Sequence, residues 1–148
     1  MANLVFNTSL GRVASLAALP AASDALIAVP LEATGLVSDA TMRDYDDLGA
    51  LLAGASNEQM TMGRKTLASV TVTVDDTNDR VAVDCADITW TAATGNAIAA
   101  VVICYDPDTT TGTDADLIPL TKHDVALTPD GNSFTLSVAD FYRASSTA

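Results

Sequence analysis

Residues 97–105 form an uninterrupted apolar run, AIAAVVICY, in the second half of the chain. A short run with no polar residue predicts a β-strand that is buried on both faces. Shortly before it, residues 81–85 alternate, with two valines and a cysteine on one side, which predicts a half-buried strand. A Thr-Gly-Asn turn signal at residues 94–96 separates the two runs. We therefore predict that residues 81–106 form the middle of a β core that carries no catalytic side chains.

Strand signals recur on both sides of this core. Residues 69–74 read SVTVTV, and the polar residues 75–79 that follow them predict a β-hairpin. Residues 24–31 predict a strand, in which Pro30 indicates an edge or a strand end because proline lacks the N–H donor. Counting shorter signals near the carboxyl end, about seven or eight short strands predict a mainly β fold, an antiparallel β-sandwich or barrel.

One short helix is expected to pack over the sheets, around residues 41–53. Thr41 is its predicted N-cap, and Gly54 suits its end. Three leucines between these residues would give the helix one apolar face, which could pack on the sheets or join protomers.

The length of 148 residues is typical of one domain. We divide the chain into an N-terminal arm at residues 1–23, a β-sandwich domain at 24–143 and a frayed tail at 144–148. The arm mixes apolar and polar residues, and we expect it to become ordered on a neighbouring molecule. We see neither a basic leader nor an apolar segment of the ~20 residues that a membrane helix needs. We therefore expect a chain that is made in the cytoplasm and does not enter a membrane.

The charge balance argues against two classes of partner. Nineteen acidic residues face seven basic ones, which gives a formal net charge of -12. Such a chain repels nucleic acid and anionic membranes, because proteins bind both through Lys and Arg. The few arginines are mostly isolated, and because Arg is enriched at protein interfaces we treat them as candidate contacts with a protein partner.

No arrangement of residues predicts catalysis, so we expect neither an enzyme nor a cofactor. The one histidine, His123, has no nucleophile motif to accompany it, and we interpret it as a solvated loop residue. Asp106, Asp108 and Thr110 begin like a calcium loop, but Leu117 occupies the position of the bidentate Glu, so no metal is expected. Whether this acidic loop holds an ion stays open.

The two cysteines carry little information about function. Cys85 and Cys104 each lie in a strand-like run and are interpreted as small buried apolar residues. Whether they pair stays open, because a disulfide requires neighbouring strands in a matching register.

Several segments resemble a group of small tailed-bacteriophage virion proteins. The most specific ones are DCADITWT at residues 84–91, TGN at 94–96 and AVVICYD at 100–106. Looser likeness is found at residues 26–31, 44–52, 63–74, 117–121 and 128–131. The resemblance covers roughly residues 24–140 and leaves out the N-terminal segment.

This resemblance implies a structural component of the virion, of the head decoration (cement) or minor capsid type. Such proteins are small, β-rich and usually trimeric, and they clamp neighbouring major capsid subunits on the outer capsid surface. The implied partners are the major capsid protein and further copies of this chain, as a homotrimer. The implied location is the outer surface of the virion, after synthesis in the host cytoplasm. A tail or head–tail joining protein is the alternative, and a module that binds glycans or host surfaces is the third hypothesis.

We expect the partner contacts to come from the N-terminal arm and from isolated arginines. No catalytic, cofactor-binding or metal-ligating residue is assigned. The candidate interface residues are Leu4, Phe6, Leu10, Arg12, Arg43 and Arg64.

Overall fold

The computed structural model describes residues 3–146 and is mainly β. Three short α-helices and ten strands make up its regular structure. The helices are Val13–Ala17 (α1), Asp39–Met42 (α2) and Leu48–Ala53 (α3). The strands are Leu4–Val5 (β1), Ala25–Glu32 (β2), Lys65–Thr66 (β3), Thr71–Asp75 (β4), Arg80–Asp84 (β5), Ile88–Trp90 (β6), Ile98–Asp106 (β7), Ile118–Leu127 (β8), Phe134–Leu136 (β9) and Tyr142–Ser145 (β10).

The strands form three antiparallel sheets in two layers. The central sheet has the order β1-β8-β7-β2-β3. A three-stranded sheet, β10-β5-β4, and a two-stranded ribbon, β6-β9, make up the second β layer. Within residues 3–146 no sheet closes into a barrel, so the mainly β, antiparallel prediction is confirmed in its open form.

Strand β7 lies in the centre of the molecule and is buried on both faces, as its apolar run predicts. It pairs with β2 on one side and with β8 on the other. Val101 and Ile103 face the first core, and Val102 and Cys104 face the second. Both faces are apolar because each is covered by another layer.

The first core lies between the central sheet and the second β layer. Trp90 of β6, which is 1% exposed, stacks on Phe134 with ring centroids 5.9 Å apart. Its Nε1 donates a hydrogen bond to the carbonyl of Gly63 at 2.9 Å. The predicted hairpin is present as β4 and β5, with Asp75 opposite Arg80. The consecutive strands β5, β6 and β7 therefore belong to three different sheets.

The second core lies on the other face of the central sheet, under α2, α3 and the N-terminal segment. Met42 of α2 and Leu48 and Leu51 of α3 are fully buried there. They pack in one cluster with side chains from β2 and β7, among them Val29 and Val102. The leucine face that the sequence indicates is thus turned to the sheet of its own chain.

The single helix predicted around residues 41–53 is wrong in extent, because two separate caps begin two helices. Ser38 caps α2, its hydroxyl accepting from the N–H of Thr41 at 3.3 Å, so Thr41 lies inside the helix. Asp47 is extended and caps α3, its carboxylate accepting from the N–H of Ala50 at 2.7 Å. Gly54 ends α3 as predicted.

Residues 3–23, which the sequence predicts as an arm, pack against the body of the same chain. Strand β1 pairs with Thr121 and Lys122 of β8, and Val13 and Leu16 of α1 are buried in the first core. At the other end, β10 pairs with β5 as far as Ser145, so the frayed tail predicted from residue 144 is wrong for these residues. Residues 1, 2, 147 and 148 lie outside the described range.

Pro30 lies near the end of β2, an interior strand of the central sheet. Strand β3 covers β2 only at Ile27 and Ala28. Beyond that short pairing, the carbonyl of Pro30 accepts a hydrogen bond from the N–H of Gln59 at 2.9 Å. Strand β2 therefore has an edge at Pro30, where β3 no longer pairs with it, but it is not an edge strand of the sheet as a whole.

Candidate interaction surface

Two predicted interface residues, Leu4 of β1 and Phe6 directly after it, face inward. Phe6 is 0% exposed and belongs to the second core, so its proposal as a partner contact is corrected: it packs within its own chain. Leu4 is half-buried, lies opposite Lys122 in the sheet and packs against the same core. Alternating apolar residues near a chain terminus can pack in the core of their own chain or contact a partner. Here the pairing of β1 with β8 places them in the core.

Leu10, Arg12 and Arg43 remain at the surface, and we call this set the arm surface. Leu10 is 61% exposed and follows the short 3₁₀ helix Asn7–Ser9, and Arg12 is also exposed. Arg43 is brought to the same segment, because its carbonyl accepts from the N–H of Asn7 at 2.8 Å. Gly11, at φ +75°, makes the turn between Leu10 and Arg12. One backbone hydrogen bond thus joins the segment that carries Leu10 and Arg12 to Arg43.

Backbone and side-chain hydrogen bonds fix this arm surface to the body. Asn7 donates from Nδ2 to the carboxylate of Asp44 at 2.7 Å. The hydroxyl of Ser9, which is fully buried, donates to the carbonyl of Pro119 at 2.6 Å. Arg43 also donates from Nε to the carbonyl of Asp39 at 3.2 Å. The exposed side chains are therefore presented by an ordered backbone.

Arg64 lies apart from the arm surface and is engaged within the chain. Its Nε and Nη2 donate to the two oxygens of Glu58 at 2.9 and 2.6 Å, and its Nη1 donates to Asp114 at 2.7 Å. The hydrogen bonds to Glu58 are the main reason that the pKa of this guanidinium is raised above its ordinary value. Arg64 thus ties the loop after α3 to the 3₁₀ helix Asp114–Asp116, a structural role.

A buried cation that sequence reasoning missed lies in β8. Lys122 is 0% exposed, and its ammonium contacts Asp39 of α2 at 3.0 Å and also Asp124. The nearly complete burial of a lysine requires such carboxylate partners. The alternation of β8 places Lys122 and Asp124 on one face, but no pattern in the sequence indicates that α2 covers them.

His123 is a strand residue of β8, and its interpretation as a solvated loop residue is wrong. Its Nε2 shares a hydrogen bond with the hydroxyl of Thr121 at 2.9 Å, and its ring meets that of Phe141 edge-on at 6.5 Å. Burial, and then the charge of Lys122, lower the pKa of His123. The hydroxyl partner, Thr121, is itself only 2% exposed, so this pair does not present a nucleophile to a substrate.

A cleft of about 360 Å³ lies beside His123, between β8 and the segment before β10. Apolar side chains from both β layers form most of its wall, including Ile88, Val125 and Phe141. Asp124 and Asp140 stand among the polar residues that line it. The cleft is thus lined mainly by apolar side chains, beside an imidazole whose pKa is lowered by burial.

Asp106, Asp108 and Asp116 accept hydrogen bonds from within the acidic loop at residues 106–116, whereas Asp114 pairs with Arg64. Asp108 accepts from the hydroxyls of Thr110 and Thr111, which lowers the pKa of Asp108 to about 2. Asp116 accepts from the N–H and the hydroxyl of Thr113 in a capping box. Among residues 3–146 no group of three or more His, Cys, Asp or Glu side chains is arranged to hold a metal ion.

Both cysteines are free and buried, which answers the pairing that the sequence left open. Cys85 lies in the first core and Cys104 in the second. Burial raises the pKa of Cys85 to about 11 and also raises the pKa of Cys104. Both thiols are therefore protonated at neutral pH and act as small packing residues.

The structure defines a mainly β, antiparallel protein, in which two β layers and a helical cover enclose two cores, with an ordered, exposed arm surface. Comparison with protein-family models, with curated proteins and with solved structures gives no match. In the described part of the chain, no helix has the length and apolar character needed to span a membrane.

Proposed function

We propose that this protein is a bacteriophage virion structural protein that decorates the outer capsid surface and stabilises it by bridging major capsid subunits. It acts as a homotrimer and without catalysis. The sequence resemblance at residues 84–106 supports this function. In the structure this segment runs from the end of β5 to the end of β7 and includes the buried Trp90. The resemblance therefore rests on residues that organise the core.

The arm surface is the observation that carries the proposed function. It exposes an apolar side chain, Leu10, and two cations, Arg12 and Arg43, on two segments that a backbone hydrogen bond joins, in a chain whose net charge is -12. Arg is enriched at protein interfaces, whereas Lys and Glu are depleted there. Because hydrogen bonds already order its backbone, binding loses little conformational entropy.

The charge of the molecule supports an outer position. Packaged DNA is strongly anionic, and a domain of charge -12 is repelled from it. A decoration protein that binds only the assembled lattice stabilises that state by mass action. Many symmetric copies multiply a modest contact, so one ordered patch on each subunit is sufficient.

The burial of the aromatic residues argues against a glycan-binding module. Such modules display aromatic rings to the solvent, yet Trp90 and Phe6 are almost wholly buried. Tyr105 and Phe141 are each 8% exposed, and the remaining aromatic side chains are half-buried.

Binding to expanded capsids that lack this protein tests the proposed function. We expect saturable co-sedimentation with such capsids, and a loss of affinity of about tenfold or more for Leu10→Asp and for Arg12→Ala combined with Arg43→Ala. Matched controls are Met60→Asp, at a residue that is 75% exposed, and Arg143→Ala. Both controls should bind like the wild type.

Three outcomes would count against the proposal, each against a different part of it. Failure of the wild-type protein to bind expanded capsids would remove the decoration function. Immunogold label confined to the tail of purified virions would replace it by the tail or head–tail joining alternative. Equal loss in the arm-surface variants and in the controls would show that the arm surface is not the contact.

A further inference from the structure

Strand β4 forms an open edge of the second β layer. Within residues 3–146 it pairs with β5 alone, in the order β10-β5-β4. In antiparallel pairing, alternate residues direct their backbone N–H and C=O groups to opposite sides of the strand. Alternate residues of β4 therefore present these groups to the open side, where another strand can accept them.

This edge lacks the features by which proteins usually prevent edge pairing, namely charges, proline, bulges and short length. From Ser69 to Val74 the sequence is SVTVTV, without charge, proline or glycine. The first charged residue is Asp75, at the hairpin turn, where Arg80 pairs with it at 3.2 Å. Val74 is 72% exposed, one of four large apolar side chains exposed in the described part of the chain.

The other sheet edges are shorter or charged. Strands β1 and β3 have two residues each, and β3 contains Lys65. Strand β10 has four residues and contains Arg143, and the strands of the β6-β9 ribbon have three each. Strand β4, with five residues, is the longest edge described, and its one charged residue lies at its end.

The sequence of β4 is complementary to itself in antiparallel pairing. Its five residues are centred on Thr73, so full pairing with a second copy places Thr73 opposite Thr73 and Val72 opposite Val74. Val72 packs against the first core. In the paired sheet it would lie opposite Val74 of the other copy and would cover part of that exposed apolar side chain. Asp75 would face Thr71 rather than another carboxylate. A register shifted toward the turn would instead place Asp76 opposite Val72.

We propose that β4 is a docking strand at which a second copy of this chain pairs antiparallel about Thr73, joining two three-stranded sheets into one of six strands. The contact has two-fold symmetry and is distinct from any three-fold assembly. It involves neither Leu10 nor Arg12 nor Arg43, so it stands or falls independently of the capsid-binding function. A contact of one strand pair is small, and its affinity is weak for that reason.

Net charge makes this pairing depend on salt. Two molecules of charge -12 repel each other, and the repulsion is largely screened once the Debye length falls to about 10 Å at 0.1 M salt. Sedimentation of the wild-type protein at high concentration should therefore show a species of twice the mass of the form seen on dilution, whether that form is a monomer or the proposed trimer, and this species should increase with added salt. Val74→Lys should reduce the association constant about tenfold or more, because it places a solvated charge in the apolar contact. The control, Met60→Lys, replaces a methionine that is 75% exposed and lies outside the edge, and it should leave the association constant unchanged.

Cross-linking tests the register directly. In the proposed pairing the two Thr73 Cα atoms lie about 4.5–5.5 Å apart, within the range that a disulfide spans. The variant Thr73→Cys should form a covalent dimer under a mild oxidant, whereas Met60→Cys, at a residue that is 75% exposed, should not. Wild-type cysteines are buried and provide the background. The proposal is overturned if the wild-type protein shows no species of doubled mass at any salt concentration, or if both cysteine variants cross-link equally.

Discussion

Gln59 connects two loops that are far apart in the chain. It is 1% exposed, its Nε2 donates to the carbonyl of Asn96 at 2.8 Å, and its Oε1 accepts from the N–H of Thr61 at 2.8 Å. Gly95 lies directly beneath this amide with φ at +106°, which disfavours any other residue. The Thr-Gly-Asn motif is visible in the sequence as a turn, but its polar partner, 36 residues earlier, is not.

Replacing Gly95 by alanine should destabilise the protein by about 2–4 kcal/mol, from backbone strain together with displacement of a buried amide. The new Cβ would clash with Nε2 of Gln59 and lie 2.9 Å from its Oε1. Gly131→Ala is the matched control, because Gly131 has φ +89° but its new methyl group would have no neighbour within 4 Å. Urea unfolding of both variants measures the difference. Equal losses would mean that Gln59 moves aside without cost.

At the scale of elements, local sequence signals identify ends better than beginnings. Gly54 ends α3 as predicted, and Leu48 and Leu51 face the core, which is one of the two alternatives that the sequence left open. The beginning is missed because three residues could cap a helix, and the structure uses Ser38 and Asp47 rather than Thr41. A cap is chosen by where the chain must turn to cover the sheet, which is a tertiary constraint.

The cap of α3 can be tested with neighbouring aspartates. Asp47→Ala should lower the free energy of unfolding by about 1 kcal/mol, because it removes the acceptor for the N–H of Ala50. Asp46→Ala removes the same charge one residue earlier, from an exposed side chain, and should change it by less than about 0.5 kcal/mol. Thermal and urea unfolding check both values. A similar effect at both positions would assign the loss to charge rather than to capping.

At the scale of the molecule, the sequence predicts the class of the fold and its central strand, but not how strands are distributed among sheets. The apolar run of β7 predicts burial on two faces, and the alternation of residues 69–85 predicts the β4–β5 hairpin. Strand β6 pairs with β9 and not with β5 or β7, its neighbours in the sequence. This pairing depends on the contact of Trp90 with Phe134, 44 residues apart. Likewise, the arm packs inward because β8 offers a free edge to β1. Such long-range choices leave no local signal.

The net charge of -12 is a property of the whole molecule, and it should make stability rise with salt. Folding concentrates like charges, so screening their repulsion favours the compact state, whereas it weakens ion pairs such as those of Arg64. We expect the repulsion to prevail and the free energy of unfolding by urea, an uncharged denaturant, to rise by about 1–2 kcal/mol between about 0.01 and 0.1 M NaCl. Dilute protein keeps any β4 pairing out of the measurement. Asp76→Asn with Asp79→Asn removes two charges from the β4–β5 turn and should reduce the response. A stability that falls with salt would show instead that the ion pairs of Arg64 and Lys122 dominate.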